Sequence, residues 1–126
     1  MTVCTGYTNN EQAYLGHDNA VSIIPYSDYA ARTNYDMTDV TLVEVSADLV
    51  TSAATGDDVA VDSDDFPAVV WWDQDADDVW QIHMKVGMFA SIVAGEYKLR
   101  VVLTDPDYTN GIVIADDLLV DVVDIP

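Results

Sequence analysis

The chain has 126 residues, half of them hydrophobic, so it is long enough for one domain with a hydrophobic core. It carries 23 acidic residues against 4 basic ones, a net charge of −19. This charge argues against nucleic acid or an anionic membrane as partner, because both are bound through basic patches. The acidic surface also repels itself unless salt screens it, and at about 1 M salt the Debye length is roughly 3 Å. The composition therefore favours a halophilic or marine setting, with a basic partner as the alternative.

The N-terminal ten residues contain neither a basic segment nor an apolar run, so the sequence predicts no secretory signal peptide. No stretch approaches the 18 or so apolar residues that a membrane-spanning helix needs. The single cysteine, Cys4, has no partner for an internal disulfide. We expect a protein that is synthesised in the cytoplasm.

Residues 1–38 are predicted to form an extended N-terminal arm with one short strand at residues 21–24, which ends at Pro25. Five of the seven tyrosines fall in this arm: Tyr7, Tyr14, Tyr26, Tyr29 and Tyr35. A tyrosine buries a large ring while its hydroxyl stays in water, which suits a protein interface. These five residues are candidate interface residues. The alternative is that their rings pack against the protein's own core.

Residues 39–126 are predicted to form a β-sandwich domain, because short segments that alternate apolar and polar residues recur between turn signals. The predicted strands cover residues 40–46, 59–61, 68–72, 79–86, 97–103, 112–115 and 118–123. Residues 87–94 are predicted to be a bend or a single helical turn. Many short strands without a convincing helix are typical of an all-β sandwich or barrel.

The acidic segment at residues 73–78 is predicted to be the loop of a hairpin. Its carboxylates occupy positions 1, 3 and 5 of a calcium-binding loop, but Asp78 replaces the glycine at position 6 and Met84 the glutamate at position 12. An EF-hand is therefore excluded, while a solvated turn and a shallow divalent site both remain open. His17 and His83 are the only histidines, and no phosphate loop or nucleophile elbow is present. No catalytic, cofactor or metal residue is predicted.

Trp71 and Trp72 are adjacent on a predicted strand, so their side chains point to opposite faces and at most one of them faces the core. The other indole must be covered by a neighbour or a partner, and Trp72 is a candidate interface residue. The three tryptophans of the chain also keep a carbohydrate-binding alternative open.

The segment at residues 94–117 carries the strongest local signals. Gly95 and Tyr97 precede a long strand in the manner of a tyrosine corner, in which the tyrosine hydroxyl bonds to backbone just upstream. Asp105 and Pro106 are predicted to end that strand, and the dipeptide at 110–111, Asn-Gly, is predicted to be a second turn. These features predict an immunoglobulin-like (Ig-like) sandwich, without the disulfide of antibody domains.

Residues 39–123 resemble a small Ig-like domain found among structural proteins of tailed phages and archaeal tailed viruses. The matching residues are Gly95, Tyr97, Asp105, Pro106, Thr109, Asn110, Gly111, Ile112 and Val113. The resemblance implies a non-enzymatic virion protein, made in the host cytoplasm, that decorates or cements the outer capsid surface. It also implies the major capsid protein or another virion protein as partner, with self-association as a further option. A tail or neck component, or a receptor- or glycan-binding module, is the alternative.

Overall fold

A computed structural model describes residues 11–28, 30–50 and 59–125. These ranges are all-β, as predicted, and their helical structure is limited to a 3-10 turn at Val86–Met88. The strands are β1 Glu11–Tyr14, β2 Val21–Ile23, β3 Tyr26–Asp28, β4 Thr33–Asn34, β5 Leu42–Leu49, β6 Val59–Asp62, β7 Val70–Gln74, β8 Trp80–Met84, β9 Gly95–Asp105 and β10 Tyr108–Val123.

The strands form three sheets. A five-stranded sheet has the order β1-β10-β9-β5-β6, a three-stranded sheet has the order β2-β8-β7, and β3 pairs with β4 alone. Neighbouring strands run antiparallel except for β1, which pairs with β10 in parallel. The predicted hairpin with an acidic loop is confirmed, because β7 and β8 are antiparallel neighbours on either side of residues 75–79.

One hydrophobic core lies between the two larger sheets, which makes the fold β-sandwich-like. In β9 the residues Tyr97, Leu99, Val101 and Leu103 are buried, as their period of two predicts. The three-stranded sheet contributes buried side chains of its own: Val21, Ile23, Val70, Ile82 and Met84. Burying one such apolar side chain stabilises the fold by about 1.5–3 kcal/mol, so these inner faces supply much of the driving force for folding.

The extended arm predicted for residues 1–38 is not confirmed. Its described part contains four strands where the sequence predicted one. β1 pairs with β10 and β2 with β8, so both larger sheets include a strand from this segment. Ala13, Val21 and Ile23 are buried in the core. The strand predicted at residues 21–24 is confirmed as β2, whereas β1, β3 and β4 have two to four residues and show too little alternation to be recognised.

The N-terminal segment approaches the 3-10 turn closely at Gly87. A Cβ atom on Gly87 would lie 2.0 Å from the carbonyl oxygen of Tyr14, which no side chain tolerates. The backbone N–H of Gly16 donates to the carbonyl oxygen of Gly87 at 2.9 Å, and that of Leu15 donates to Val123 at 2.9 Å. The absence of a side chain at position 87 therefore permits this contact.

The hairpin of β9 and β10 differs in part from its prediction. β9 ends at Asp105 as expected, but the turn predicted at Asn110 and Gly111 is wrong, because both residues lie inside β10. The register with β9 shifts between Tyr108 and Ile112, and Gly111 has a φ of +87°. The Asn-Gly signal therefore marks a bulge within a strand. Two more register shifts follow, between residues 113 and 115 and between residues 115 and 118, and the latter replaces the predicted break between two strands.

Candidate functional site

The outward face of the three-stranded sheet carries a row of polar and aromatic side chains. Ser22, His83 and Trp71 are cross-strand neighbours in this row, on β2, β8 and β7 respectively. The adjacent row, Ile23, Ile82 and Trp72, packs in or against the core. Because neighbouring rows of a sheet face opposite sides, Ser22, His83 and Trp71 face away from the core.

Hydrogen bonds and ring contacts link this row into a cluster, which we call the outer cluster: Ser22, Trp71, Asp73, His83 and Lys85. His83 Nδ1 lies 2.7 Å from Ser22 Oγ, and His83 Nε2 lies 2.8 Å from Asp73 Oδ1. The indole of Trp71 stacks on the imidazole with centroids 5.2 Å apart and an interplanar angle of 28°. The imidazole plane is therefore fixed on both edges and on one face.

Lys85 completes the cluster on the side of Trp71. Its Nζ lies 5.5 Å from the centroid of the Trp71 ring and 3.4 Å from Asp18 Oδ1. The Asp18 side chain is 79% exposed, and exposed ion pairs of this kind contribute only about 0–1 kcal/mol. Lys85 and His83 together cover much of the Trp71 ring, as the sequence required for the indole that does not face the core.

Ser, His and Asp are also the residue types of a hydrolytic triad, in which the serine would attack an acyl group. Acyl transfer requires N–H donors that converge on the oxyanion about 3 Å away. Ser22 lies in the middle of β2, and successive N–H groups of a strand point in opposite directions. The local backbone therefore does not gather two donors at Ser22 Oγ. The bonds to Ser22 and Asp73 hold the imidazole of His83 in a fixed orientation.

A groove adjoins the outer cluster at β7, the outermost strand of its sheet. Its volume is about 260 Å³, and it is lined by Thr41, Ser63, Asp64, Pro67, Val70, Trp71 and Trp72. Two indoles, a proline and a valine make the lining largely apolar, while two hydroxyls and a carboxylate supply hydrogen-bonding groups. The groove could therefore offer both apolar contact and hydrogen bonds to a side chain that lay in it.

The predicted interface residues do not come together at this site. Tyr26 and Tyr35 are buried, so their rings pack on the protein's own core, as in the alternative that the sequence left open. Tyr14 is half-buried, and its hydroxyl lies 3.4 Å from Gln12 Oε1. Tyr7 and Tyr29 lie outside the described residues.

Trp72 was predicted to be the interface indole, but its side chain packs against the core opposite Ile82. Trp71 is the indole that faces outward. The sequence established that the two indoles point to opposite faces but not which of them points inward. That choice depends on the register of β7 with β8, which pairs Trp72 with a fully buried residue.

The predicted structural residues form two hydrogen-bonded anchors. Tyr97 Oη donates to the carbonyl oxygen of Val93 at 3.0 Å, which is the bond expected of a tyrosine corner. Asp105 Oδ1 accepts the N–H groups of Asp107 and Tyr108 at 2.9 and 3.0 Å, so this carboxylate closes the hairpin turn.

Tyr35 forms an anchor that the sequence did not reveal. Its hydroxyl donates to Asp105 Oδ2 at 2.6 Å. Burial, and then this bond to a carboxylate, raise the pKa of Tyr35 well above its usual value of about 10. The segment after β4 is thereby attached to the turn between β9 and β10.

The acidic loop uses its carboxylate at position 75 to hold its own turn. Asp75 Oδ1 accepts the N–H groups of Asp77 and Val79 at 2.8 and 3.1 Å. Within the described ranges, no group of three His, Cys, Asp or Glu residues is arranged to hold a metal ion. These contacts are those of the solvated turn, one of the two alternatives that the sequence left open.

The outer cluster is the part of the site that sequence analysis missed. Ser22 and His83 are separated by 61 positions, and only the pairing of β2 with β8 joins them. The one available signal was the placement of His83 on the polar face of its strand. No family model matches the chain, and neither a curated protein nor a solved structure matches it. In the described part of the chain, no helix is long and apolar enough to cross a membrane.

Proposed function

We propose that this protein is a non-enzymatic structural component of a virion, an Ig-like module that binds the outer capsid surface and stabilises it. The strand order is the observation that supports the Ig-like assignment. In immunoglobulin domains, strands B, E and D are neighbours in one sheet, and G, F, C and C′ are neighbours in the other. Here β2, β8 and β7 have the first order, and β10, β9, β5 and β6 have the second.

The tyrosine corner supports the same assignment. Tyr97 lies near the start of β9, the strand that corresponds to F, where this motif occurs in immunoglobulin domains. The pair β3 and β4 then corresponds to the connection between B and C. That connection and the turn between F and G lie at the same end of such a sandwich, which agrees with the bond between Tyr35 and Asp105.

The virion part of the proposal rests on the resemblance of residues 39–123 to Ig-like structural proteins of tailed viruses. The fold itself hosts many functions, so the resemblance is the link to this one. The charge of −19 supports an outward-facing role, because it would keep neighbouring particles apart. A lattice that presents many copies of a binding site makes individually weak contacts effective.

Particle composition tests the proposal. We expect virions from the culture that produces this chain to contain it at many copies, in a fixed ratio to the major capsid protein measured by quantitative mass spectrometry. Capsids stripped of the protein should also disassemble at a lower temperature than intact ones. A few copies per particle would assign the chain to a tail or neck, and its absence from purified particles would refute the proposal.

The alternative, a receptor- or glycan-binding module, is favoured by one observation, the groove lined by Trp71 and Trp72. Against it, the ring of Trp71 is stacked on His83, which leaves less of the indole free for a sugar. Binding on a glycan array that disappears in Trp71→Ala, and persists in the matched variant Trp80→Ala, would favour this alternative.

A further inference from the structure

We propose that the free edge of β7 binds an extended, lysine- or arginine-rich segment of another virion protein, which adds to the three-stranded sheet as a further strand. This inference rests on the proposed function and assigns its docking surface. Strand addition obtains affinity from main-chain hydrogen bonds and specificity from pockets for alternate side chains. The edge of β7 offers both.

The hydrogen-bonding direction of β7 follows from one contact at its start. The N–H of Lys85 donates to the carbonyl oxygen of Val69 at 2.9 Å, so Lys85 directs its N–H towards β7. Because these directions alternate along a strand, Trp71 and Asp73 direct their backbone groups towards β8. The backbone N–H and C=O groups of Trp72 and Gln74 therefore point away from β8.

No strand of the described ranges covers these groups, since β7 is the last strand in its sheet. The N–H of Val70 also points outward but is already used, because it donates to Phe66 at 3.0 Å. The open stretch thus begins at Trp72. An uncovered row of this kind is a template for an incoming strand.

The groove beside β7 supplies the pocket for the incoming side chains. Pro67 and the two indoles give it an apolar wall, and its volume of about 260 Å³ has room for an aliphatic side chain or the methylene stem of a lysine. A charged head on that stem would meet Asp64 at the rim of the groove.

Charge selects the occupant. Six exposed carboxylates flank the two ends of β7: Asp64, Asp65, Asp73, Asp75, Asp77 and Asp78. The nearest lysine, Lys85, already contacts Asp18. A basic strand would neutralise these carboxylates, whereas a second copy of this chain would bring its own acidic ends against them and be repelled.

Strand addition at β7 can be tested with a capped peptide of alternating lysine and valine. The control is the same peptide with glutamate in place of each lysine. We expect the lysine peptide to shift the amide NMR signals of Trp72 and Gln74 and to slow their hydrogen exchange. The effect should weaken at molar salt, because screening removes the attraction. Binding of both peptides alike, signals that shift elsewhere, or no binding at millimolar peptide would overturn the inference.

Gln74→Pro tests the edge directly, since it removes an outward N–H that the protein's own ladder does not use, and proline is tolerated on edge strands. Ala60→Pro is the matched control. Ala60 lies on β6, the edge of the other sheet, and the bond from Ser63 N–H to Val43 fixes its N–H as outward-pointing too. We expect Gln74→Pro to weaken peptide binding about tenfold or more and Ala60→Pro to leave it unchanged.

Should Gln74→Pro lower the melting temperature, Asp64→Lys combined with Asp65→Lys tests the charge requirement on an intact edge. This variant should bind the lysine peptide less tightly and the glutamate peptide more tightly than the unaltered protein does. Unchanged affinities would overturn the selection by charge.

The abundance of the protein on virions distinguishes failure of this inference from failure of the proposed function. If the unaltered protein and Gln74→Pro are equally abundant on virions, the docking surface lies elsewhere and the proposed function stands. If the unaltered protein is absent from virions but the lysine peptide binds at β7, the proposed function fails and the strand-binding edge remains.

Discussion

Asp105 is a buried carboxylate that three donors satisfy. It accepts the hydroxyl of Tyr35 and the backbone N–H groups of Asp107 and Tyr108. Burying a charge costs free energy unless hydrogen bonds compensate for the lost water. Removing any one of these donors should therefore lower the free energy of unfolding. The residue ties the hairpin turn and the segment after β4 to each other through one side chain.

Replacing Tyr35 with Phe tests the contribution of its hydrogen bond with Asp105. The variant loses a hydrogen bond to a charged group, and we expect the free energy of unfolding to fall by about 1.5–3 kcal/mol. Urea denaturation measures the change. Tyr97→Phe is the control, because its hydroxyl bonds only to the uncharged C=O and N–H groups of Val93. Val93 is exposed, so water can replace these bonds and the loss should cost about 0.5–1.5 kcal/mol. An equal or larger effect at Tyr97 would contradict the role assigned to Asp105.

Tyr35 should also make the fold sensitive to alkali. Its pKa is raised in the folded state, so its contribution to stability is complete below the unfolded-state pKa of about 10 and is lost as pH rises above it. Urea midpoints measured from pH 9 upward should fall less steeply in Tyr35→Phe than in the unaltered protein. Parallel curves would show that the ionisation of Tyr35 is not coupled to folding.

At the scale of elements, the contact between β1 and the 3-10 turn depends on Gly87. Gly87→Ala would place a methyl group against the Tyr14 carbonyl oxygen, and we expect a loss of about 1–3 kcal/mol together with faster hydrogen exchange in β1. Gly16→Ala is the matched control: its φ is +76° but nothing lies within 4 Å of the new methyl. That variant should cost about 1–2 kcal/mol through backbone strain, without freeing β1. Protection of β1 that is unchanged in Gly87→Ala would refute this account.

The elements that sequence alone predicted well are those with long internal alternation. β9 and β8 carry enough period-two pattern to predict both the type of element and its facing, and the burial of Leu99 and Ile82 bears this out. For β7 the pattern predicted a strand but not which of its two indoles faces the core. β1, β3 and β4 are too short for such a pattern, although β2 was predicted at residues 21–24. β10 passes through its Asn-Gly signal because pairing with β9 outweighs a local turn preference. Local chemistry predicted a turn at Asn110 and Gly111, and pairing with β9 makes it a bulge inside β10 instead.

The candidate site was beyond sequence analysis for a related reason. Its members are ordinary residues whose meaning comes from register: a shift of one residue in β7 would exchange Trp71 and Trp72 between core and surface. Polar rows on a sheet become visible only after the pairing of all three strands is known.

For the whole molecule, the dominant physical property is its charge of −19. Mutual repulsion opposes the compact state, and molar salt shortens its range to about 3 Å. We therefore expect the melting temperature to rise from low to molar sodium chloride, by about 4 °C for each kcal/mol of repulsion removed.

A matched variant separates charge from general salt effects. Asp39, Asp107 and Asp124 are exposed, and replacing all three with Asn removes charge without touching the core. This variant should be more stable at low salt and show a shallower rise. A melting temperature that does not change with salt would remove the halophilic interpretation.

The parallel pairing of β1 with β10 has a consequence for the order of folding. Glu11 lies opposite Val120, so nearly the whole described chain forms the loop that this ladder closes. Closing a long loop costs entropy that only later contacts offset, so hairpins such as β9 with β10 are expected to form early and the β1 ladder last. The two ends of the described chain thus meet as the final step, and the same ladder should be the first to open when the protein is mechanically pulled or locally unfolds.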